Sequence, residues 1–594
     1  MTASESTRFP VWLGLAQGIA LYVLYRTLHD AAWPPESGWL FNGVLLCTLL
    51  LPFAAYWSQD VLATSARRKL LLVLAGLVFG LGAYQAATVY PQLEATRLQL
   101  APAPAFFGLA LLVFMAVPLA SGWARGEPGD TWGRWNYSRL FEHAWRNTVV
   151  TIQAGVLTAL FWILVLLGAQ LFNLIGVEWP WELIREKWFA IPVTTFAIAL
   201  GMRGGLRRSA FTVSLRNHWL TLTVWLLPLA SLIGAAFVLT SLAGVGSLFD
   251  RGLSAFVLLW FAAFWIKFFN SAYQDGQTAP ALHPLLRRVL PATAPALLAV
   301  IGLASWALFV RIGQYGLTPD RIWGVLVVGV ALTYGAGYSL SAWRGGASRW
   351  MPTMGSTNIA AALVMCIGIV LLLSPALDPN RLATANQIAR LDTGRVSADE
   401  FDVHALTRQG RAGHDALVAL RGRPGADGRP GKLAVRADEA FSQRRYARQR
   451  DQPESQQQVA DPADRIESLP AGKALPAGFS GFLKQDIAGW ESWERTRSCF
   501  ALHQTQPKCV LLQVDLDRDG RDEVVLWDTP SSAQSRVYAY RQNAWQRIGR
   551  LVPERGLSNS VRADVATGDY AVQPSRWDAL RVGAGRFQVF EKAE

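Results

Sequence analysis

Charge is scarce in the first part of this chain. Of its 594 residues, 17% are charged. Residues 1–377 hold 24 Lys/Arg and 14 Asp/Glu, so 38 of 377 positions, whereas residues 378–594 hold 32 and 29, so 61 of 217. The first part is too poor in charge to clothe a soluble globule, and the second has an ordinary soluble composition. Histidine is also sparse. The seven (His29, His143, His218, His283, His404, His414 and His503) are scattered, and no HExxH, GxSxG or phosphate-loop pattern occurs, which argues against the enzyme classes those motifs serve. With four cysteines and no CxxC, a thiolate zinc site is disfavoured.

The net charge of +13 does not point to nucleic acid. Of that excess, 24 − 14 = +10 lies in the apolar part, in short loops between hydrophobic runs. Topology-setting charge is distributed in this way. No basic face with interleaved aromatics stands out.

Long apolar runs are what the first part has instead. A helix needs ~20 apolar residues to cross the hydrocarbon core. Eleven runs qualify: 10–25, 38–57, 70–90, 104–123, 148–176, 188–202, 219–244, 253–273, 290–310, 322–340 and 356–375. Backbone groups in lipid must bond internally, so these should be helices. The expected fold is mainly α, a polytopic membrane bundle of about eleven helices, with a soluble tail of short helices and a small antiparallel β module. Trp33, Trp39, Tyr56, Trp57, Tyr90, Trp123 and Trp260 lie near span ends, as interfacial anchors or helix-packing residues. The span 188–202 is short and carries Pro192; losing it would invert everything downstream.

With the N-terminus inside and eleven spans, inner segments carry 16 Lys/Arg: Arg8, Arg67, Arg68, Lys69, Arg125, Arg134, Arg139, Arg146, Arg203, Arg207, Arg208, Arg216, Arg287, Arg288, Arg344 and Arg349. The outer loops carry 7: Arg26, Arg97, Arg185, Lys187, Arg251, Arg311 and Arg321. That asymmetry fits a cytoplasmic N-terminus and a tail on the opposite side. Glu5 and Arg8 precede the first span, which is expected to act as an uncleaved anchor.

Cys47 and Cys366 fall inside spans and read as small apolar residues. Cys499 and Cys509, with nine residues between them in the tail, are compatible with a disulfide in an oxidising compartment or with two separate thiols. The outside placement of the tail favours the bond.

Within the tail, 378–450 is amphipathic in pieces, with Ser397 and Glu400 as a capping box. The stretch 451–478 is rich in Pro, Gln, Ala and Asp and reads as a linker, and 479–594 as a β-rich module. Its expected strands are Cys509–Val514, Glu523–Trp527, Arg536–Tyr540, Trp545–Leu551 and Arg586–Phe590. Between the first two lies "DLDRDGRDE". Asp515, Asp517, Asp519 and Glu523 take positions 1, 3, 5 and 9 of an acidic loop, with Gly520 at 6 for the turn and the Arg521 carbonyl as a further oxygen. Oxygen ligands at this spacing suit a structural Ca2+. Position 12 is Leu526 rather than Glu, so the loop is no EF-hand. A metal-free turn, its Asp side chains bonding local amides, is the competing reading.

Several stretches resemble a family of bacterial polytopic membrane proteins catalogued as domain of unknown function 4153. They are "FEHAWRNTVVTIQAGVLTALFWILVLLGAQLFNLIGV" (141–177), "WLLPLASLIGAAFVLTSLAG" (225–244), "IKFFNSAYQDG" (266–276), "RIGQYGLTPDRIW" (311–323) and "SPALDPNRLATANQIARLDTGRVSADEFDVHAL" (374–406). The resemblance covers roughly 130–420. It implies a multi-pass bacterial inner-membrane protein without an agreed activity, and no catalytic residues to carry over. Separately, "DLDRDGRDEVVLWD" resembles the acidic loop of FG-GAP-type repeats.

Three polar features remain. Lys267 is the one charge inside a span; it either marks function or snorkels, with Asn270 a turn away as a partner. Arg311 and Arg321 flank the "YGLTPD" turn, as interfacial arginines of a capped hairpin or as contacts to an anion. The stretch 131–147 is amphipathic and reads as an interfacial helix, for lipid or for a docking partner. The expected role is non-enzymatic: interaction, sensing or envelope organisation. A transporter of a small or lipid-like substrate is the alternative, and a membrane-embedded enzyme the third reading. The expected partners are the lipid bilayer and a periplasmic protein, and no nucleic acid.

Overall fold

The computed structural model describes residues 3–587 apart from 31–37, 89–102, 124–130, 133–134, 208, 244–253, 278–279, 281, 346–349, 424–431, 450–461, 470–472, 489–497, 501–508, 528–534, 552–564, 566, 569, 573–579 and 583–584. Trp33, Tyr90, His503, Arg97, Arg125, Arg134, Arg208, Arg251 and Arg349 therefore lie outside the described residues, as do 588–590 of the last expected strand. The chain divides into two compact units, Met1–Gln387 and Ile388–Glu594.

The first unit is helical. Its elements are α1 (Ala3–His29), α2 (Gly38–Ser58), α3 (Thr64–Thr88), α4 (Ala103–Trp123), a small pair β1 (Thr131–Trp132) and β2 (Trp135–Asn136), then α5 (Tyr137–Leu174), α6 (Trp179–Arg185), α7 (Lys187–Arg207), α8 (Ser209–Val224) and α9 (Leu226–Ala243). There follow α10 (Ala255–Tyr273), α11 (Pro284–Val289), α12 (Ala294–Tyr315), α13 (Pro319–Arg344), α14 (Met354–Leu373) and α15 (Pro379–Asp392), the last continuing into the second unit. Eleven segments among the described residues are long and apolar enough to cross a membrane, each overlapping one expected run. The short run 188–202 belongs to the 21-residue α7 (Lys187–Arg207), which contains Pro192 inside the helix at the loss of one backbone hydrogen bond.

Two boundaries differ from expectation. Residues 131–147 form no separate interfacial helix. Thr131–Asn136 pair as β1 and β2, the Asn136 side chain caps α5 by accepting from the Arg139 N–H at 3.3 Å, and Tyr137, Leu140 and Phe141 are buried. The periodicity that resembled an amphipathic surface helix is the core-facing start of a 38-residue helix, about 57 Å long and so longer than the membrane is thick. The run 219–244 is two helices, α8 and α9, parted at Trp225, where Pro228 removes a backbone donor.

Close helix contacts are made through small residues. On α1, Gly14 and Gly18 are four apart and face α7: a Cβ at Gly14 would stand 2.9 Å from the Thr195 carbonyl oxygen, and one at Gly18 2.5 Å from the Pro192 Cα. Without a hydrophobic drive between helices in lipid, such approach supplies the packing energy. The aromatics sort into two roles. Tyr56 and Trp57 are buried, at 0% and 6% exposure, whereas Trp39, Trp123 and Trp260 are outward-facing.

The second unit holds a helical cluster and a sheet. Around α16 (Val403–Thr407), α17 (Gly410–Arg421) and α18 (Lys432–Gln449) pack Phe401, Val403, Leu406, Leu417 and Leu420. Ser397 and Glu400 make reciprocal capping-box bonds, the Ser397 N–H donating to Glu400 Oε2 at 3.4 Å and the Glu400 N–H to Ser397 Oγ at 3.3 Å. They close a turn, and Asp402 caps the helix proper by accepting from the Ala405 N–H at 3.0 Å.

Next come α19 (Pro462–Arg465), β3 (Ile466–Ser468), α20 (Phe479–Ala488), β4 (Cys509–Val514), β5 (Glu523–Trp527), β6 (Ser535–Arg541), β7 (Ala544–Leu551), β8 (Leu580–Val582) and β9 (Gly585–Phe587). The main sheet has the order β3-β4-β5-β6-β7, antiparallel except for the parallel β3–β4 pair. Thus β3 comes from the stretch that reads as a linker: Ile466 pairs with Cys509 and is buried. Both faces of the sheet are covered. Cys509, Leu511, Val524, Leu526 and Tyr538 pack with α20 on one, and Val510, Leu512, Val525 and Val537 pack with Leu469 and Val565 on the other. The alternation follows from the strand period of two.

Candidate functional site: an acidic loop and the polar groups of the membrane unit

Register sets the loop. Val514 pairs with Glu523, so residues 515–522 leave β4 and return to β5 as one tight connection. Two residues take positive φ, Arg518 at 63° and Gly520 at 87°. At Gly520 the side chain that would be strained is absent.

Within the loop, Asp515, Asp517 and Glu523 bring carboxylate oxygens within 4.8 Å of one another. Glu523 is buried at 4% exposure and accepts from the Leu516 N–H at 2.8 Å. Asp515 accepts from the Asp519 N–H at 3.2 Å and the Gly520 N–H at 2.9 Å. The Asp517 carboxylate takes a 3.0 Å bond from the Arg541 guanidinium on β6. Asp519 stands apart from the triad: its carboxylate accepts from the Arg521 N–H at 2.8 Å, so it shapes the turn. The neighbouring Asp522 is paired with the Lys473 ammonium at 2.7 Å.

Three carboxylates and adjacent carbonyls are a hard-oxygen donor set of the kind Ca2+ takes. The amide bonds hold them in place, and Arg541 supplies the positive charge opposite Asp517. A cation would compete with Arg541 for that oxygen. Local turns thus fix the loop and bring these three carboxylates together.

A disulfide joins Cys499 and Cys509 with Cα atoms 5.4 Å apart. Both residues are buried at 1% exposure, and the bond ties the start of β4 to the segment before it. Cys47 and Cys366 are free.

In the membrane unit, Lys267 and Asn270 are not partners. Lys267 Nζ lies 5.2 Å from the Trp145 ring centroid and 6.0 Å from that of Trp219, an arrangement of cation–π type. Asn270 instead joins a group that the sequence reading did not foresee. Asn358 on α14 donates to Asn270 Oδ1 at 2.6 Å and to Tyr137 Oη at 2.7 Å. Tyr338 on α13 donates to Asn358 Oδ1 at 2.8 Å, and Asn270 Nδ2 returns to the Ile266 carbonyl at 3.1 Å. Four helices, α5, α10, α13 and α14, meet at this cluster. Each contributes a residue near one end, so the cluster lies toward one face of the bundle. Periodicity exposes which side of a helix is buried, but not which polar groups meet there; Asn358 among apolar residues was the available hint.

Arg321 and Arg311 belong to the hairpin between α12 and α13. Arg321 donates to the Gly316 carbonyl at 2.6 Å, which closes the C-terminus of α12, while Thr318 caps α13 by accepting from the Arg321 N–H at 3.3 Å. Both guanidinium groups lie near Tyr315, at 6.0 Å for Arg311 and 5.6 Å for Arg321. The turn is fastened from α15, where Asn386 accepts from the Leu317 N–H at 2.8 Å and Gln387 donates to the Tyr315 and Leu317 carbonyls, each at 3.0 Å. Arg321 thus serves the hairpin itself.

In comparisons with known proteins, no family model matches the chain, and no curated protein and no solved structure matches it.

Proposed function

We propose that the chain is a multi-pass protein of a bacterial inner membrane that presents a folded module in the periplasm. Its role on this reading is interaction, sensing or envelope organisation. The Cys499–Cys509 bond carries it: a buried bond in the extramembrane module, beside free Cys47 and Cys366 in the membrane unit, is what an oxidising compartment on one side produces. Eleven candidate spans with the arginine-rich loops inside support the same side for the module. The resemblance to domain of unknown function 4153 is part of this proposal and adds the inner membrane to it.

The polar groups that converge among the spans support a non-catalytic body. Tyr137, Asn270, Tyr338 and Asn358 satisfy one another, as a helix-locking network does. Within the module, the proposed role of Asp515, Asp517 and Glu523 is a weak structural Ca2+ site of about 10⁻⁴–10⁻³ M, suited to an extracytoplasmic compartment.

Protease added to spheroplasts tests the placement. The expected result is loss of the module from the outside with the membrane unit retained. Digestion of the module only after lysis would refute it.

A further inference from the structure

We propose that Lys267, with Trp145 and Trp219 beside it, binds the headgroup of an anionic phospholipid. Lys267 is the one charge inside an expected apolar run. On α10, six residues part it from Tyr273 at the helix end, about 9 Å of helix rise. Its side chain is exposed on the outside of the bundle, where a charge is costly in hydrocarbon unless an anion or water meets it.

Three helices converge on the ammonium. Its Nζ lies 5.2 Å from the Trp145 ring centroid on α5 and 6.0 Å from that of Trp219 on α8. Close by, α8 is fastened to α10 by Thr223 Oγ1, which donates to Ser271 Oγ at 2.9 Å. A second cation stands at this end of the bundle. The Arg216 guanidinium on α8 lies 5.6 Å from the Phe141 ring centroid, and that ring is 6.4 Å from the Trp145 ring.

No carboxylate of the protein answers this charge. Glu142 and Asp275 are the acidic residues nearest Trp145 and Lys267 in the chain, and neither forms an ion pair with Lys267. Residues 187–249, α8 included, hold no Asp or Glu. The polar atoms on offer are donors alone, since an ammonium and an indole N–H cannot accept. Among the described residues, neither the Trp145 nor the Trp219 N–H has a protein acceptor.

Apolar tracks lead away from the cation. Ile152 and Val156 follow Trp145 by seven and eleven residues on α5, and Trp260 and Phe256 precede Lys267 by the same steps on α10. Each pair shares a helix face with its polar end, and all four residues are exposed. The two helices are the fifth and eighth candidate spans and so run in opposite senses. Both tracks therefore leave the cation in the same direction, into the hydrocarbon. A cation heading two exposed apolar tracks is complementary to a phosphate carrying acyl chains, which the bilayer supplies. Net negative charge on that headgroup meets the ammonium that no carboxylate neutralises.

The test uses the full chain in detergent, titrated with short-chain phosphatidylglycerol, short-chain phosphatidylcholine or inorganic phosphate. Binding is read by thermal shift and by lipid retained in native mass spectrometry. Wild type should bind phosphatidylglycerol more tightly than phosphatidylcholine. Lys267→Met keeps an unbranched stem and removes the charge. It should weaken phosphatidylglycerol about tenfold, the scale of one charge-assisted hydrogen bond, and leave phosphatidylcholine unchanged. Lys267→Arg should keep most of the affinity; an equal loss in Arg and Met would overturn the charge as the determinant. Should Lys267→Met fail to fold, as judged by lipid-free melting, Trp219→Phe decides instead. It keeps a ring, loses the N–H and should bind phosphatidylglycerol more weakly than wild type. Equal affinity of wild type for the two lipids, or a deciding variant that is folded and binds like wild type, would overturn the site. An equal response to inorganic phosphate would overturn the lipid as its occupant.

Discussion

Asn358 donates to the Tyr137 phenol oxygen at 2.7 Å, joining residues 221 positions apart in the chain. With its other donor and its carbonyl also engaged, Asn358 fastens α14 to α5, α10 and α13. Interhelical bonds in membranes average well under 2 kcal/mol each, and stranded buried partners add to the loss. Asn358→Leu is expected to destabilise the membrane unit by about 1–3 kcal/mol. The measurement is reversible unfolding in mixed micelles, with Tyr338→Phe losing less because it removes one bond.

Packing of α1 on α7 has a sharper dependence. A methyl at Gly18 already meets Pro192, and one at Gly14 meets the Thr195 carbonyl. Gly18→Val should separate the two helices and cost about 2 kcal/mol or more, the scale of overpacking in a close contact. Cysteine cross-linking between α1 and α7 should fall in parallel; unchanged cross-linking would mean that the small residues are not what sets this distance.

For the acidic loop, the competition between Arg541 and a cation gives a signed expectation. Asp517→Ala should abolish Ca2+ binding measured by calorimetry on the full chain. Arg541→Ala should tighten it, by no more than about fivefold, because an exposed pair of this kind is worth little. Calcium that leaves wild type and Arg541→Ala equally unaffected would reduce the loop to a turn.

Acid should act on the helical cluster of the second unit through His404. Burial pulls its imidazole below the ordinary value of 6.5, aided by Arg436 and Arg408 and opposed by Asp402. A folded value below the unfolded one means the unfolded chain binds more protons. The contribution is therefore complete above about pH 6.5 and lost as pH falls through the lowered value. His404→Gln should flatten the decline in melting temperature between about pH 7 and pH 5.

Reduction tests the bond before β4. Closing a loop of ten-residue separation stabilises by about 2–3 kcal/mol on the chain-entropy account. Dithiothreitol should lower the stability of the module by that amount and leave the membrane unit unchanged.

The long-range design was legible in the sequence because hydrophobic length and charge scarcity are summed over many residues. The eleven runs and the strands Cys509–Val514 and Glu523–Trp527 follow from that kind of signal. What escaped depends on single contacts. Ile466 forms a strand because Cys509 lies beside it, although Pro-rich surroundings suggest a linker. Tyr137 begins a helix with its first turns buried because Asn136 caps it and the bundle covers Leu140 and Phe141. Lys267 meets Trp145 and Trp219 rather than Asn270, since Asn358 from another helix takes Asn270. In the loop, spacing pointed to four carboxylates, whereas the structure groups Asp515, Asp517 and Glu523 and turns Asp519 to the Arg521 N–H.

Membrane topology is the central claim, and reporter fusions address it most directly. An alkaline phosphatase or fluorescent reporter fused after residue 218 should report the cytoplasm, and one fused after residue 378 should report the periplasm. The second result requires α7 to span, as its 21 residues allow. Cytoplasmic activity at residue 378 would contradict the account.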